Sequence, residues 1–207
     1  VYSTIGTLLG SSFINQFSLV IDLAKGTPES LHRDLLIRGI PVLLVEKESS
    51  GCRMNSIVLD RAHAVAVLTR EMVLAGHRRI LVIEQMMDGK ALQVAKMTSM
   101  RYSPDIQVES CTVEQIPSVV NGEAAAILCE WRVNGARVRD LILRHPQLSK
   151  LSVAATGVCV GEPTCTGVYI TPSELGEAAV TMLQDVPNYR PTTLWLSGRY
   201  VDRGTIR

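Results

Sequence analysis

The sequence predicts a doubly wound α/β fold, and three features carry that prediction. Between Gly39 and Ile80 a buried strand, a short second strand, one helix and another buried strand form a β-α-β unit. Interior strands such as Ser18–Leu23 and Ala124–Cys129 have no polar face, as strands of a parallel sheet covered on both sides require. Strand-like and helix-like runs then alternate along the chain as far as Val201, which places them in layers around parallel sheet.

Residues 1–17 read as a helix with Ile5, Leu8, Leu9 and Phe13 on one face, or as a strand from Thr4 to Leu9. The helix is favoured because Ser18–Leu23 is already the next strand. Thr27-Pro28 opens a helix, with Thr as cap and Pro at the first position, Leu31, Leu35 and Leu36 inward, and Gly39 as its end. Ile40–Val45 and Ser56–Leu59 are strands. Asp60 caps the following helix and Gly76 takes the left-handed turn that stops it, with Val65, Leu68, Met72 and Ala75 on one face. Arg79–Glu84 is the next strand, Gln85–Lys90 a loop, and a helix runs on to Met100. Tyr102–Gln107 turns into a strand, and Glu114–Val120 is a short helix. Ala124–Cys129 is a buried strand. Arg132–His145 is a helix with Ala136, Val138, Leu141 and Ile142 partly inward, stopped by Pro146. Leu151–Ala155 and Gly167–Ile170 are strands. Thr171-Pro172-Ser173-Glu174 is a capping box that opens a helix from Pro172 to Gln184. Thr192–Val201 is the last strand.

Composition narrows the function. The 207 residues suffice for one large domain or two small lobes, and 46% apolar residues supply a core that 4% aromatics leave mostly aliphatic. A net charge of +1 gives no basic stripe for nucleic acid. The cysteines (Cys52, Cys111, Cys129, Cys159, Cys165) are odd in number and lack a C-x-x-C pair, so they read as reduced thiols of a cytoplasmic protein rather than a disulfide frame or zinc site. No apolar run reaches the roughly 18 residues of a membrane span, and the first residues lack the basic-then-apolar pattern of an export signal. No phosphate-binding glycine loop, metal-spaced histidine pair or cofactor motif is present, and neither Ser11-Ser12 nor Ser49-Ser50 has a partner order that makes a nucleophile. No acid–base pair or nucleophile constellation therefore supports an enzyme.

Gly39-Ile40-Pro41-Val42, then Asp60, then Gly76-His77-Arg78-Arg79-Ile80 stand in the order and spacing of a known family. Pro172-Ser173-Glu174-Leu175-Gly176 and Arg203-Gly204-Thr205 extend the match. From about Ser18 to Arg207 the chain resembles the effector domain of the LacI/GalR family of bacterial transcription repressors. The resemblance implies a two-lobed, periplasmic-binding-protein-like (type I) fold, parallel sheets flanked by helices, with ligand in the cleft between the lobes. One lobe would hold residues 1–55 and 172–188, the other 56–171 and 189–207. The family opens with further β-α units not found here, so the first lobe is expected to be incomplete at its N-terminus. It further implies a small-molecule effector (a sugar or related metabolite), a homodimer, and operator DNA read by a domain absent from this chain. Helix Thr27–Arg38 and the segment Cys52–Asp60 are the candidate dimer surfaces. A periplasmic-type solute-binding protein shares the fold and is the alternative.

Ligands of open α/β sheets sit at the carboxyl ends of strands. That rule and the resemblance together select Glu46, Gln85, Asp88, Glu130, Trp131 and Thr156 as candidate ligand contacts. Glu46 stands where the family has Asp. Glu130 matches the Asp of the family's Asn-Asp pair, with Cys129 in place of Asn. The family's Arg falls near Ala95 and Thr98, and its Gly-Phe-Asp strand end reads Ala155-Thr156-Gly157. The main Arg and Asp of the sugar grip are missing, so the site is expected to be non-standard or degenerate. Trp131 can stack on a ligand ring or pack at a helix start; Glu46 and Glu130 can equally be solvated strand-end carboxylates. His77 reads as a turn residue, Asp60 as a cap, and Arg137, Arg139 and Arg144 as a solvated helix face.

Overall fold

The computed structural model describes residues 20–22, 27–47, 54–84, 89–120, 125–159, 161–184 and 192–207. In chain order its elements are β1 (Val20–Asp22), α1 (Glu29–Ile37), β2 (Val42–Val45), β3 (Asn55–Leu59), α2 (Arg61–Leu74), β4 (Arg79–Ile83), α3 (Lys90–Met100) and β5 (Gln107–Ser110). A 3-10 turn (Val113–Gln115) leads into α4 (Ile116–Val120), β6 (Ala126–Cys129), α5 (Arg132–Arg144), β7 (Ser152–Val158), β8 (Thr166–Ile170), α6 (Pro172–Gln184), β9 (Thr193–Leu196) and β10 (Arg199–Val201). The helix-or-strand segment 1–17 lies outside the described residues.

The chain divides into two compact units, one drawn from the chain up to Val58 and Leu175–Leu196, the other from Leu59–Glu174 and Ser197–Arg207. The first unit has a four-stranded sheet in the order β1-β2-β3-β9, parallel from β1 to β3. All four residues of β2 are buried, and Val42 and Leu44 pack with Leu31, Leu35, Ile40 and Met54. The second unit has a six-stranded sheet in the order β10-β8-β7-β6-β4-β5, parallel except for antiparallel β10. Its core is aliphatic, built on residues such as Leu81, Ile127, Val138 and Val153, with the fully buried Tyr169 ring among them.

Helix ends follow from local chemistry. Asp60 accepts the His63 N–H at 3.0 Å and caps α2. Past α2, Gly76 at φ 92° lets its own N–H reach Val73 O and the His77 N–H reach Met72 O, a Schellman closure. α1 ends the same way, with Gly39 at φ 73° and the Ile40 N–H on Leu35 O. The capping box before α6 is reciprocal: Glu174 N–H donates to Thr171 Oγ1 at 3.3 Å, and Thr171 N–H to Glu174 Oε2 at 2.9 Å.

Several expectations need correction. Ile40 belongs to the closure of α1, so β2 starts only at Val42. Ala75 is the C-cap of α2 and is exposed, beyond the buried stripe of Val65, Leu68 and Met72. Thr27 does not cap α1; its hydroxyl donates to Asp22 Oδ1 at 3.0 Å, and Pro28 takes the cap position with no side-chain bond. The strand expected to stop at Ala155 continues to Val158, because Thr156, Gly157 and Val158 keep register with Val168, Tyr169 and Ile170. The last strand is broken. Gly198, at φ 71°, turns the chain so that β9 joins the first unit's sheet and β10 the second's.

His77 is the turn residue expected, with an energetic consequence. Its ring is half-buried in the second unit, and Nε2 has no hydrogen-bond partner among the described residues. Burial lowers its pKa below the ordinary 6.5, against a smaller raising effect from a hydrogen bond to the Arg207 backbone. The unfolded chain then binds the extra proton first. Stability is full above about pH 6.5 and is lost as pH falls through the lower folded value. Urea midpoints between pH 7 and pH 5 should fall in the wild type and fall less in His77→Gln; parallel curves would overturn this.

Candidate functional site

The second unit's sheet reverses direction of winding at β4. The chain leaves β4 for β5 on one side and returns through α4 to β6 on the other, so β4 and β6 are neighbours whose connections diverge. The crevice past the carboxyl ends of such a pair is where open α/β sheets take ligands. Glu84 follows β4 and Glu130 follows β6, and the Glu130 N–H donates to Ile83 O at 2.9 Å.

Glu130 anchors a cluster there. Its side chain is buried, 7% exposed, and Arg61 Nη1 lies 4.0 Å from its Oε1. The same Nη1 donates to Glu130 O at 3.0 Å, and the guanidinium sits 5.4 Å from the Trp131 ring centroid. Thr156 Oγ1 donates to that same carbonyl at 2.6 Å. The Glu130 carbonyl is therefore held by two donors, and Arg61 is held by a carboxylate, a carbonyl and an aromatic face. Such a stack contributes about 0.5–1 kcal/mol where it is partly exposed. Arg61 keeps 28% of its side chain accessible, so the cation is pre-positioned but still reachable. Gly157 adjoins this region at φ 144°, and a Cβ there would lie 3.7 Å from the Arg132 Cβ.

Of the residues selected from sequence, Glu130, Trp131 and Thr156 come together here. Thr156 is fully buried within β7 and braces residue 130 from below. Gln85 and Asp88 lie outside the described residues. Glu46 stands on the first unit just after β2, where it is the only described non-glycine residue with positive φ, at 60°. That strain is held by its N–H donating to Ile57 O at 2.8 Å.

Sequence reasoning missed two groupings. Arg61 had a signal: a cation in the first turn of a helix opposes the helix dipole, so it needs a partner elsewhere. On the first unit, the buried Asp22 carboxylate accepts from His32 Nε2 at 2.7 Å, Lys47 Nζ at 2.6 Å and Thr27 Oγ1 at 3.0 Å.

Burial pushes the Cys111 thiol up to about 11 and holds Cys129 and Cys165 above the ordinary thiol range, so all three stay protonated near neutrality. Among the described residues no group of His, Cys, Asp and Glu is placed to hold a metal ion. No described helix is long and apolar enough to cross a membrane.

No protein-family model matches the chain, and no curated protein matches it in sequence. Solved structures do. A LacI transcriptional regulator from a Rhodococcus species matches with a TM-score of 0.72 over 97% of this chain and 81% of that one, at 17% identity. The chain has the fold of the LacI-family regulators. A LacI-family regulator from Arthrobacter sp. FB24, in complex with lactose, matches with a TM-score of 0.69 at 15% identity, covering 94% of this chain and 81% of that one. One from Enterococcus faecium with bound ribose gives 0.67 at 13% identity, covering 91% and 79%. The LacI-family fold accounts for the parallel sheets flanked by helices and for a chain that passes more than once between two units. At these identities the likeness is one of fold.

Proposed function

We propose that this chain is the ligand-sensing and dimerisation domain of a bacterial LacI/GalR-like transcription regulator with a non-standard sugar site. The observation that carries the reading is the shared fold with regulators solved with lactose and ribose bound. The domain senses and does not catalyse: its thiols are held protonated by burial, and its clustered polar groups pair with one another. The effector is a sugar or related metabolite. In the second unit it meets Arg61 and Trp131, with Glu130 and Thr156 fixing their placement. Arg61 supplies from α2 the cation that the family resemblance places near Ala95 and Thr98 on α3. The working form is a cytoplasmic homodimer, and operator DNA is read by a domain outside this sequence. Effector binding acts by its differential affinity for DNA-competent and DNA-incompetent arrangements of that dimer.

Titration calorimetry with a panel of pentoses, hexoses and their acids tests this, on a sample whose mass light scattering gives as a dimer. At least one member should bind saturably, and Arg61→Ala should weaken it about tenfold to a hundredfold, as loss of a charge-assisted hydrogen bond does. A strictly monomeric mass with no heat from any member would end the proposal.

A further inference from the structure

α2 and α3 pack against each other, and each runs into one of two neighbouring parallel strands, β4 and β5, which start in register at Arg79 and Gln107. The C-terminal ends of both helices therefore lie together at the amino ends of those strands, at the opposite end of the sheet from the Arg61 cluster.

α3 carries its large apolar side chains on the outside. Its buried stripe is Ala91, Ala95 and Ser99, all small, whereas Met97 is 57% exposed and Met100 is 68% exposed. At about 3.6 residues per turn the two methionines stand opposite that buried stripe. Lys96 borders them on one side and Arg101 on the other, both exposed, and neither has an ion-pair partner among the described residues. Exposed Leu74, at the end of α2, adds to the apolar surface, and Tyr102, just past α3, interacts electrostatically with Arg70. The nearby carboxylates are mostly spent: Glu71 pairs with Arg70 at 2.6 Å and Glu109 with Arg79 at 3.4 Å. That leaves Asp105 against Lys96, Arg101 and the exposed Arg78, so the face is positive. Methionine is the side chain most able to mould itself to another apolar surface. An apolar stripe bordered on both sides by cations is the complement of an amphipathic helix whose own stripe is bordered by carboxylates. A second copy is not that complement, because α3 against α3 sets cation against cation.

We infer that the outward face of α3 docks an acidic amphipathic helix of a partner protein, with apolar side chains on Met97 and Met100 and carboxylates on Lys96 and Arg101. The inference does not rest on the sensing role proposed above. The probe is a fluorescein-labelled peptide of about 18 residues, long enough to be helical alone, with leucines on one face and glutamates elsewhere. Fluorescence anisotropy with the intact chain should show saturable binding that weakens as salt rises. The same peptide with lysines in place of glutamates should not bind. Met97→Ser combined with Met100→Ser should weaken binding about tenfold or more, and so should Lys96→Glu combined with Arg101→Glu. All four side chains are exposed, and unchanged urea midpoints confirm that both variants fold. Leu143→Ser, which removes an equally exposed apolar side chain from α5, should leave binding unchanged. Absence of saturable binding would overturn the inference, as would equal binding of the lysine peptide or binding unmoved by both double variants. So would sedimentation with phosphatidylglycerol vesicles in place of peptide binding, or a mass halved by the methionine variant, which would give the face to a lipid surface or a second copy.

Discussion

Gly167→Ala is expected to abolish the folded second unit. A Cβ at that position would stand 2.1 Å from the Ala155 backbone oxygen and 2.5 Å from the Tyr169 ring. Neither neighbour can retreat. Ala155 is the register partner of Gly167 in the middle of the sheet, and the Tyr169 ring is fully buried, its hydroxyl donating to Cys165 O at 3.1 Å. Clashes with backbone in a packed interior belong to the rare class of changes that cost more than about 4 kcal/mol. Gly176→Ala is the matched control, since a Cβ there meets nothing within 4 Å and Ala is the better helix former. Urea unfolding should show Gly167→Ala unfolded or nearly so without denaturant and Gly176→Ala at or above the wild-type midpoint. Similar midpoints for the two variants would contradict the packing described here.

Asp22→Ala is expected to cost about 3 kcal/mol, the lower end of the range for breaking a buried ion pair from one side. The carboxylate is 8% exposed and takes three donors, among them the Lys47 ammonium at 2.6 Å. Lys47 retains 20% exposure, so solvent screens part of the loss, and the lower end applies. The damage should be confined to the first unit. Hydrogen exchange at Leu43 and Leu44, which pair with Ile21 and Asp22 in the sheet, should accelerate by about a hundredfold. Unchanged protection there would show the cluster to be energetically idle.

How much of this was legible in the sequence depended on range. Asp60, Gly76 and the Thr171–Glu174 box declared the helix ends because their chemistry closes within five residues. Buried strands without a polar face announced the parallel sheets. The break at Gly198 was passed over, although Ser197-Gly198 is a turn signal, because Leu194–Leu196 and Tyr200–Val201 on either side read as one strand, and a strand-like run cannot say which sheet it joins. Thr27 looked like a cap and was diverted to Asp22, a carboxylate whose Lys47 partner stands 25 positions away. At the candidate site, Glu130 and Trp131 were found by their place after a strand. Arg61 was not, since its partner stands 69 positions later in the chain.

The parting of β9 and β10 at Gly198 bears on how the protein is made. β9 is the outermost strand of one sheet and β10 of the other, and both emerge from the ribosome only after every other described strand. Each sheet must wait on the nascent chain with one flank uncovered. A stop codon anywhere before Thr193 would strip an outer strand from both sheets at once, so a single truncation there harms both folding units.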